Sequence, residues 1–157
     1  MAWRGSADIK DRFFGAAVYL FAIYDALALA VPLMAQVPAL VPFFQILQIL
    51  VTPISLVVNA IPLFGSLLVF FILFLAVVRN ERISYFIRFN TLQSILFGIA
   101  ISLIAIVFDA LGALGLIGGV VFIIATGASL YCMVECALGR YPEIPSVSAA
   151  VYSQLPR

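Results

Sequence analysis

Val77-Val78-Arg79-Asn80-Glu81-Arg82-Ile83-Ser84-Tyr85-Phe86-Ile87-Arg88 places a short charged turn between two long apolar runs, Leu63 to Val78 before it and Ile83 to Phe108 after it. Such a turn marks the water boundary of a helical hairpin in a membrane, where cationic side chains meet lipid headgroups. All eight Lys and Arg residues of the 157-residue chain fall in three such places: this turn, Arg4 to Arg12, and Arg140 to Arg157. Hydrophobic residues make up 66% of the chain and charged ones 10%, and mean hydropathy is +1.25. A water-soluble fold could not cover that much apolar surface.

Working outward from the turn, the runs predict an all-α integral membrane protein, a single domain over residues 1–157. Each crossing of a ~30 Å hydrocarbon layer takes ~20 helical residues. Four membrane helices are expected, at about 13–31, 63–78, 83–108 and 111–138, followed by a polar tail at 139–157. The first run, from Phe13, is longer than a signal-peptide core and has no small-residue cleavage site behind it, so it reads as a membrane helix that Pro32 closes. No Arg- and Ser-rich, acid-poor stretch precedes Asp8 and Asp11, which gives the expectation of synthesis in a bacterium or inside an organelle.

Between the first two helices, residues 32–62 hold five of the eight prolines, with Gln36, Gln45, Gln48 and Asn59 among them. Leu40 to Val58 is apolar enough to reach across, but parity argues against a fifth pass. With four crossings every Lys and Arg shares one face, as the positive-inside rule requires; a fifth would move Arg79, Arg82 and Arg88 to the other. The segment is therefore expected as an interfacial or re-entrant helical pair against the outer half of a four-helix bundle, and both termini share the cytoplasmic or stromal side.

Chemistry is sparse. Asp25 lies about 18 Å along the first helix from Phe13, beyond the midplane, where an ionisable group marks either a polar pathway or a structural cap or pairing. Glu135 lies close enough to the inner boundary to pair with Arg88 on a facing helix. Asp109 reads as an outer-boundary turn former. Arg88, Asn90, Thr91 and Gln93 occupy more than one face of the third helix's first turns, so they face partner helices, a hydrated vestibule or the interface itself. Gly98 with Ser102, and Gly115 with Gly119, have the spacing of close helix packing. Cys132 and Cys136 share one helix face and read as buried packing. Without a histidine, a phosphate loop or a nucleophile elbow, no enzyme, metal or cofactor is expected. Net charge of +1 gives no support to nucleic-acid binding.

Three stretches carry a family likeness. Asp11-Arg12-Phe13-Phe14-Gly15 with Val18-Tyr19-Leu20 and Tyr24-Asp25-Ala26-Leu27 opens it, Arg79 to Leu96 continues it, and Leu138-Gly139-Arg140-Tyr141-Pro142-Glu143-Ile144-Pro145 through Tyr152 closes it. In this order they resemble the Tic-twenty family, a membrane subunit of the chloroplast inner-envelope protein translocon with cyanobacterial and plastid-encoded relatives. The resemblance implies four membrane helices and a role in moving preproteins, with other translocon subunits and the preproteins as partners in a homo- or hetero-oligomer. The membrane is then the plastid inner envelope or a cyanobacterial counterpart. The motif positions that transfer are Asp25, Arg88, Asn90, Gln93, Arg140, Tyr141, Glu143 and Pro145. Two readings of other classes stand beside it: a non-conducting assembly scaffold, and a small-solute or ion permease that uses Asp25.

Overall fold

A reciprocal cap starts the first helix. In the computed structural model, which describes residues 7–155 apart from the side chains of Leu114 and Leu116, the Asp11 amide donates to the Asp8 carboxylate at 2.8 Å and the Asp8 amide donates to the Asp11 carboxylate at 3.3 Å. Arg4 and Arg157, outer members of two cationic clusters, lie outside the described residues. Helices α1 (Ile9–Ala17), α2 (Tyr19–Leu27) and α3 (Val31–Gln36) then form one rod of 28 residues. The rod is jointed at Val18, whose carbonyl accepts from Ser94 Oγ at 2.7 Å, and at a 3-10 turn over Ala28–Ala30. Pro32 does not close the rod as expected. It sits in the first turn of α3, where a missing N–H leaves no bond unmade, and the helix stops at Gln36 before Pro38.

Of the expected pair in the Pro-rich segment, the first member is the short α3, which continues the first rod, and the second is one long helix, α4 (Val41–Asn59). With the 3-10 turn before it, the run Pro38–Asn59 is 22 residues long and as apolar as a span. Pro42 again takes a first-turn position, and only Pro53 is interior. Phe44, Leu47, Val51, Ile54 and Val58 form the buried stripe, at the three-and-four spacing of one helix face. The next helix, α5 (Gly65–Ile72), continues as a π-helical turn, Leu73–Val78. At 14 residues this apolar piece is about 21 Å long, short of a full span. Four helical runs are thus long enough to cross, as expected, but the second is Pro38–Asn59 and not 63–78.

Packing shows how α4 and α5 are arranged end to end. The start of α4 lies at the end of the bundle away from the cationic clusters, with the Phe44 ring 5.0 Å from Phe122. Its end packs at mid-depth, where Ile54 and Val58 meet Leu20, Phe21, Tyr24 and Val69 of α5. Past the π turn, Val78 packs on Phe89 near the start of the next helix. Helices α4 and α5 therefore carry the chain in one direction from the far end to the basic end, along a path broken at residues 60–64. Leu63 has φ +72° in that break, and a Cβ on Gly65 would overlap the Val58 carbonyl oxygen.

Helices α6 (Tyr85–Ala110) and α7 (Leu114–Ala137) complete the bundle. Each ends in the same device. Gly112 (φ +66°) and Gly139 (φ +74°) turn the chain, with paired amide bonds Gly112 to Asp109 and Ala113 to Phe108, then Gly139 to Cys136 and Arg140 to Glu135. These are Schellman closures that satisfy the last helical carbonyls. The tail does not simply leave the bundle. It folds back as α8 (Val147–Gln154), burying Val151 and Leu155 against Val78, Phe89 and Leu92. Outward-facing Ile46, Ile49, Leu56, Leu103, Ile106, Ile123 and Ile124 form the belt expected of a lipid-facing surface.

Candidate functional site

The basic end is closed by a polar network built on α6. Asn90 and Gln93, three residues apart on one face, are fully buried. Tyr19 OH donates to Asn90 Oδ1 at 2.9 Å and accepts from Gln93 Nε2 at 2.9 Å. Gln93 Nε2 also donates to the Pro142 carbonyl at 3.1 Å, and Gln93 Oε1 accepts from Ser148 Oγ at 2.7 Å. Ser148 Oγ in turn accepts the Ile144 amide at 2.7 Å. Asn90 finishes its set by donating to the Phe86 carbonyl (2.8 Å) and accepting from Cys136 Sγ (3.2 Å). The nitrogen and the oxygen of each amide all have at least one partner, so the network fastens α2, α7 and the tail to α6.

Aromatic packing seals the same end. Tyr141 lies edge-on to Phe86 and Phe89, with ring centroids 5.0 Å and 5.2 Å away, and Tyr152 lies 4.9 Å from Phe89. Arg88 donates from Nε to the Val78 carbonyl at 2.8 Å, capping the π turn with a cation at a helix C-terminus. The expected Arg88–Glu135 pair does not form. Glu135 meets Arg140 instead, at 3.8 Å, because the Schellman turn at Gly139 brings that guanidinium back over the last turn of α7. Glu143 and Pro145 are exposed on the tail. The Tyr152 hydroxyl donates to Glu143 at 3.4 Å, and the Pro145 carbonyl accepts the Val147 amide at 2.8 Å. Ser84 Oγ caps α6 by accepting the Ile87 amide (3.3 Å) and donates to Asp11 at 2.7 Å, tying the starts of α1 and α6 together.

Asp25 stands apart from this network, at mid-depth. It lines two cavities with Tyr24. One, of about 460 Å³, is bounded by α2, the end of α4, α5 and α6. The other, of about 520 Å³, is bounded by α2 and the Gln48, Thr52 and Ser55 face of α4. A Cβ on Gly98 would lie 2.5 Å from Asp25 Oδ2, so the absent side chain makes room for the carboxylate. Among the described residues no group of three or more His, Cys, Asp or Glu side chains is placed to hold a metal ion.

The structure thus joins Asn90 and Gln93 in one network, with Tyr141 packed beside it, and sets Asp25 elsewhere. Tyr19 and Ser148 are the members that the sequence did not single out. Both lie in stretches that carry the family likeness, and Tyr19 has the further signal that a tyrosine buried in a helix must give its hydroxyl a partner.

Comparison with known proteins places these residues in a family. The model described as "Chloroplast import apparatus Tic20-like" matches residues 9–151. The chain belongs to the Tic20 family. A "Tic20 family protein" of the cyanobacterium Synechocystis sp. is 40% identical to it, with 99% of both chains aligned. Two Arabidopsis thaliana proteins, "Protein TIC 20-v, chloroplastic" and "Protein TIC 20-II, chloroplastic", are 27% and 28% identical. They align with 96% and 92% of this chain and with 73% and 72% of their own lengths. The Tic20 match runs through Tyr19, Asp25, Asn90, Gln93 and Ser148, so it takes in both the closed network and the mid-depth carboxylate. With four helical runs of spanning length, this Tic20 chain is an integral membrane protein.

Proposed function

We propose that this protein is a membrane subunit of a protein-translocation complex, contributing with other subunits to a path for preproteins across the plastid inner envelope or a cyanobacterial counterpart. The supporting observation is the family match, which at 40% identity extends over 99% of both this chain and its cyanobacterial relative. The geometry adds a constraint on mechanism. Asn90, Gln93 and the docked tail fill the basic end with satisfied side chains, so an isolated bundle offers an extended polypeptide no way through its axis. The path then runs between this protein and its neighbours. In this reading the end of the bundle that carries Lys10, Arg12, Arg82 and Arg140 faces the cytoplasm or stroma, in line with the positive-inside rule.

The test combines isolation from native membranes with crosslinking. The chain is expected in a complex heavier than a monomer, and a cysteine at Ile87, beside Arg88, is expected to crosslink to a stalled preprotein. Recovery as a monomer that makes no such crosslink overturns the reading. Passage of peptides through liposomes holding this chain alone as a monomer overturns the shared-path mechanism.

A further inference from the structure

Gly98 and Ser102 on α6 have the spacing that lets a second helix approach closely; Gly98 is buried beside Asp25 of α2, whereas Ser102, one turn further on, is exposed. Both line the 460 Å³ cavity, together with Ser66 and Leu67 on α5 and with Asp25. Leu67 and Leu103, which also line it, are exposed on the apolar belt, so the cavity borders the lipid-facing surface. The Asp25 carboxylate makes no hydrogen bond or ion pair with the described residues. A charged or protonated acid at this depth needs a partner that the fold does not provide.

Charge and depth define the partner. Lipid headgroups stay at the interface, and Gly98, opposite Asp25, is about 20 Å along α6 from Tyr85 and about 18 Å from Ala110. A headgroup amine does not reach that level. A bare inorganic cation wants several hard oxygen ligands, whereas most of this lining is apolar. A lysine or arginine on a membrane-embedded helix meets each condition: it arrives at mid-depth, brings apolar neighbours for the rest of the lining, and leaves its own backbone bonded. The volume accommodates side chains from one face of such a helix, not the helix itself.

We infer that the cleft between α5 and α6 docks a membrane-embedded helix of another polypeptide that carries a lysine or arginine, whose cation pairs with Asp25. This deepens the translocation reading and rests on it for the view that such helices belong to the complex or its cargo.

The test uses the full chain in lipid vesicles with a photoreactive phenylalanine at Leu103. Synthetic apolar peptides of about 20 residues are added with Lys, Leu or Glu at the centre. The Lys peptide is expected to crosslink about tenfold more than the Leu peptide, the size of one well-placed polar contact in a bilayer, and the Glu peptide least. Asp25→Asn is expected to erase the preference. Equal labelling by the Lys and Leu peptides overturns the proposal, as does a Lys preference that survives Asp25→Asn. Should Asp25→Asn fail to fold, Ser102→Trp fills the cleft and leaves residue 25 unchanged. It is expected to abolish labelling by all three peptides, and labelling that persists overturns the proposal. The assay involves no transport, so loss of preprotein movement in membranes leaves it standing, and a missing Lys preference beside intact movement sinks the docking site alone.

Discussion

Gln93 holds the tail to the bundle through both ends of its amide, so its loss has a local readout. In Gln93→Leu the Pro142 carbonyl and the Ser148 hydroxyl lose their partner while the apolar packing of Val151 and Leu155 remains. The expected cost is about 1–2 kcal/mol, near the low end for a buried polar group left unpaired, because the tail lies at the membrane surface where water can compensate. Limited trypsin digestion, compared with the parent chain, should cut several-fold faster after Arg140. Gly98→Ala tests a different balance. Alanine in place of a helical glycine gains ~1 kcal/mol, while a methyl 2.5 Å from Asp25 Oδ2 costs a similar amount even if the carboxylate swings aside. The single variant should be near neutral in thermal unfolding, and the gain of about 1 kcal/mol should emerge only in the Asp25→Ala background. Asn90 and Gln93 were legible as functional candidates because amides so far inside an apolar run must be satisfied somewhere. The partner of Arg88 was not legible, since it is a backbone carbonyl and leaves no mark in the sequence.

Helices α4 and α5 show where pattern reading stops. Prolines suggested a broken segment and the break exists, but it lies at residues 60–64, after Pro53 and around Pro62, because Pro32, Pro38 and Pro42 all occupy first-turn positions that tolerate them. Where helices start is set by local rules such as the Asp8–Asp11 cap. How far they run depends on packing partners, which sequence periodicity does not supply. The break is held in a costly backbone shape, and two substitutions separate its components. Leu63 is 94% exposed and left-handed, so Leu63→Gly removes about 1–2 kcal/mol of strain against an entropic loss of about 0.5–1 kcal/mol. A net stabilisation of about 0.5–1 kcal/mol is expected by thermal unfolding. Gly65→Ala acts oppositely: its Cβ meets the Val58 backbone, which cannot move without shifting the end of α4. A loss of about 2–3 kcal/mol, or a failure to fold, is expected. If both variants prove neutral, the α4–α5 turn does not have this shape in the membrane.

The bundle gathers both described chain ends and the 79–84 turn at one end. Ser84 bonds Asp11, the Arg12 guanidinium packs against Gly139, and α8 covers Phe89 and Val78. That gathering follows from an even number of passes, and it survives the exchange of 63–78 for Pro38–Asn59 as the long second run because α4 and α5 run in one direction. The lopsided placement of Lys and Arg predicts an even number of passes, in keeping with four helical runs of spanning length among the described residues, although it could not show which segments supply them. Labelling of introduced cysteines checks the arrangement without removal of the native ones, since Cys132 and Cys136 are both fully buried and should stay silent. Lys10, Arg82 and Gln154 are exposed at the basic end and Asp109 is exposed at the other. A membrane-impermeant maleimide applied to sealed vesicles should label cysteines at Lys10, Arg82 and Gln154 from one side only, and a cysteine at Asp109 only from the opposite side. Were the Arg82 position to label from the Asp109 side, α4 and α5 would each be crossing alone. The closed basic end would then be split across two compartments, and the Asp11–Ser84 tie could not exist.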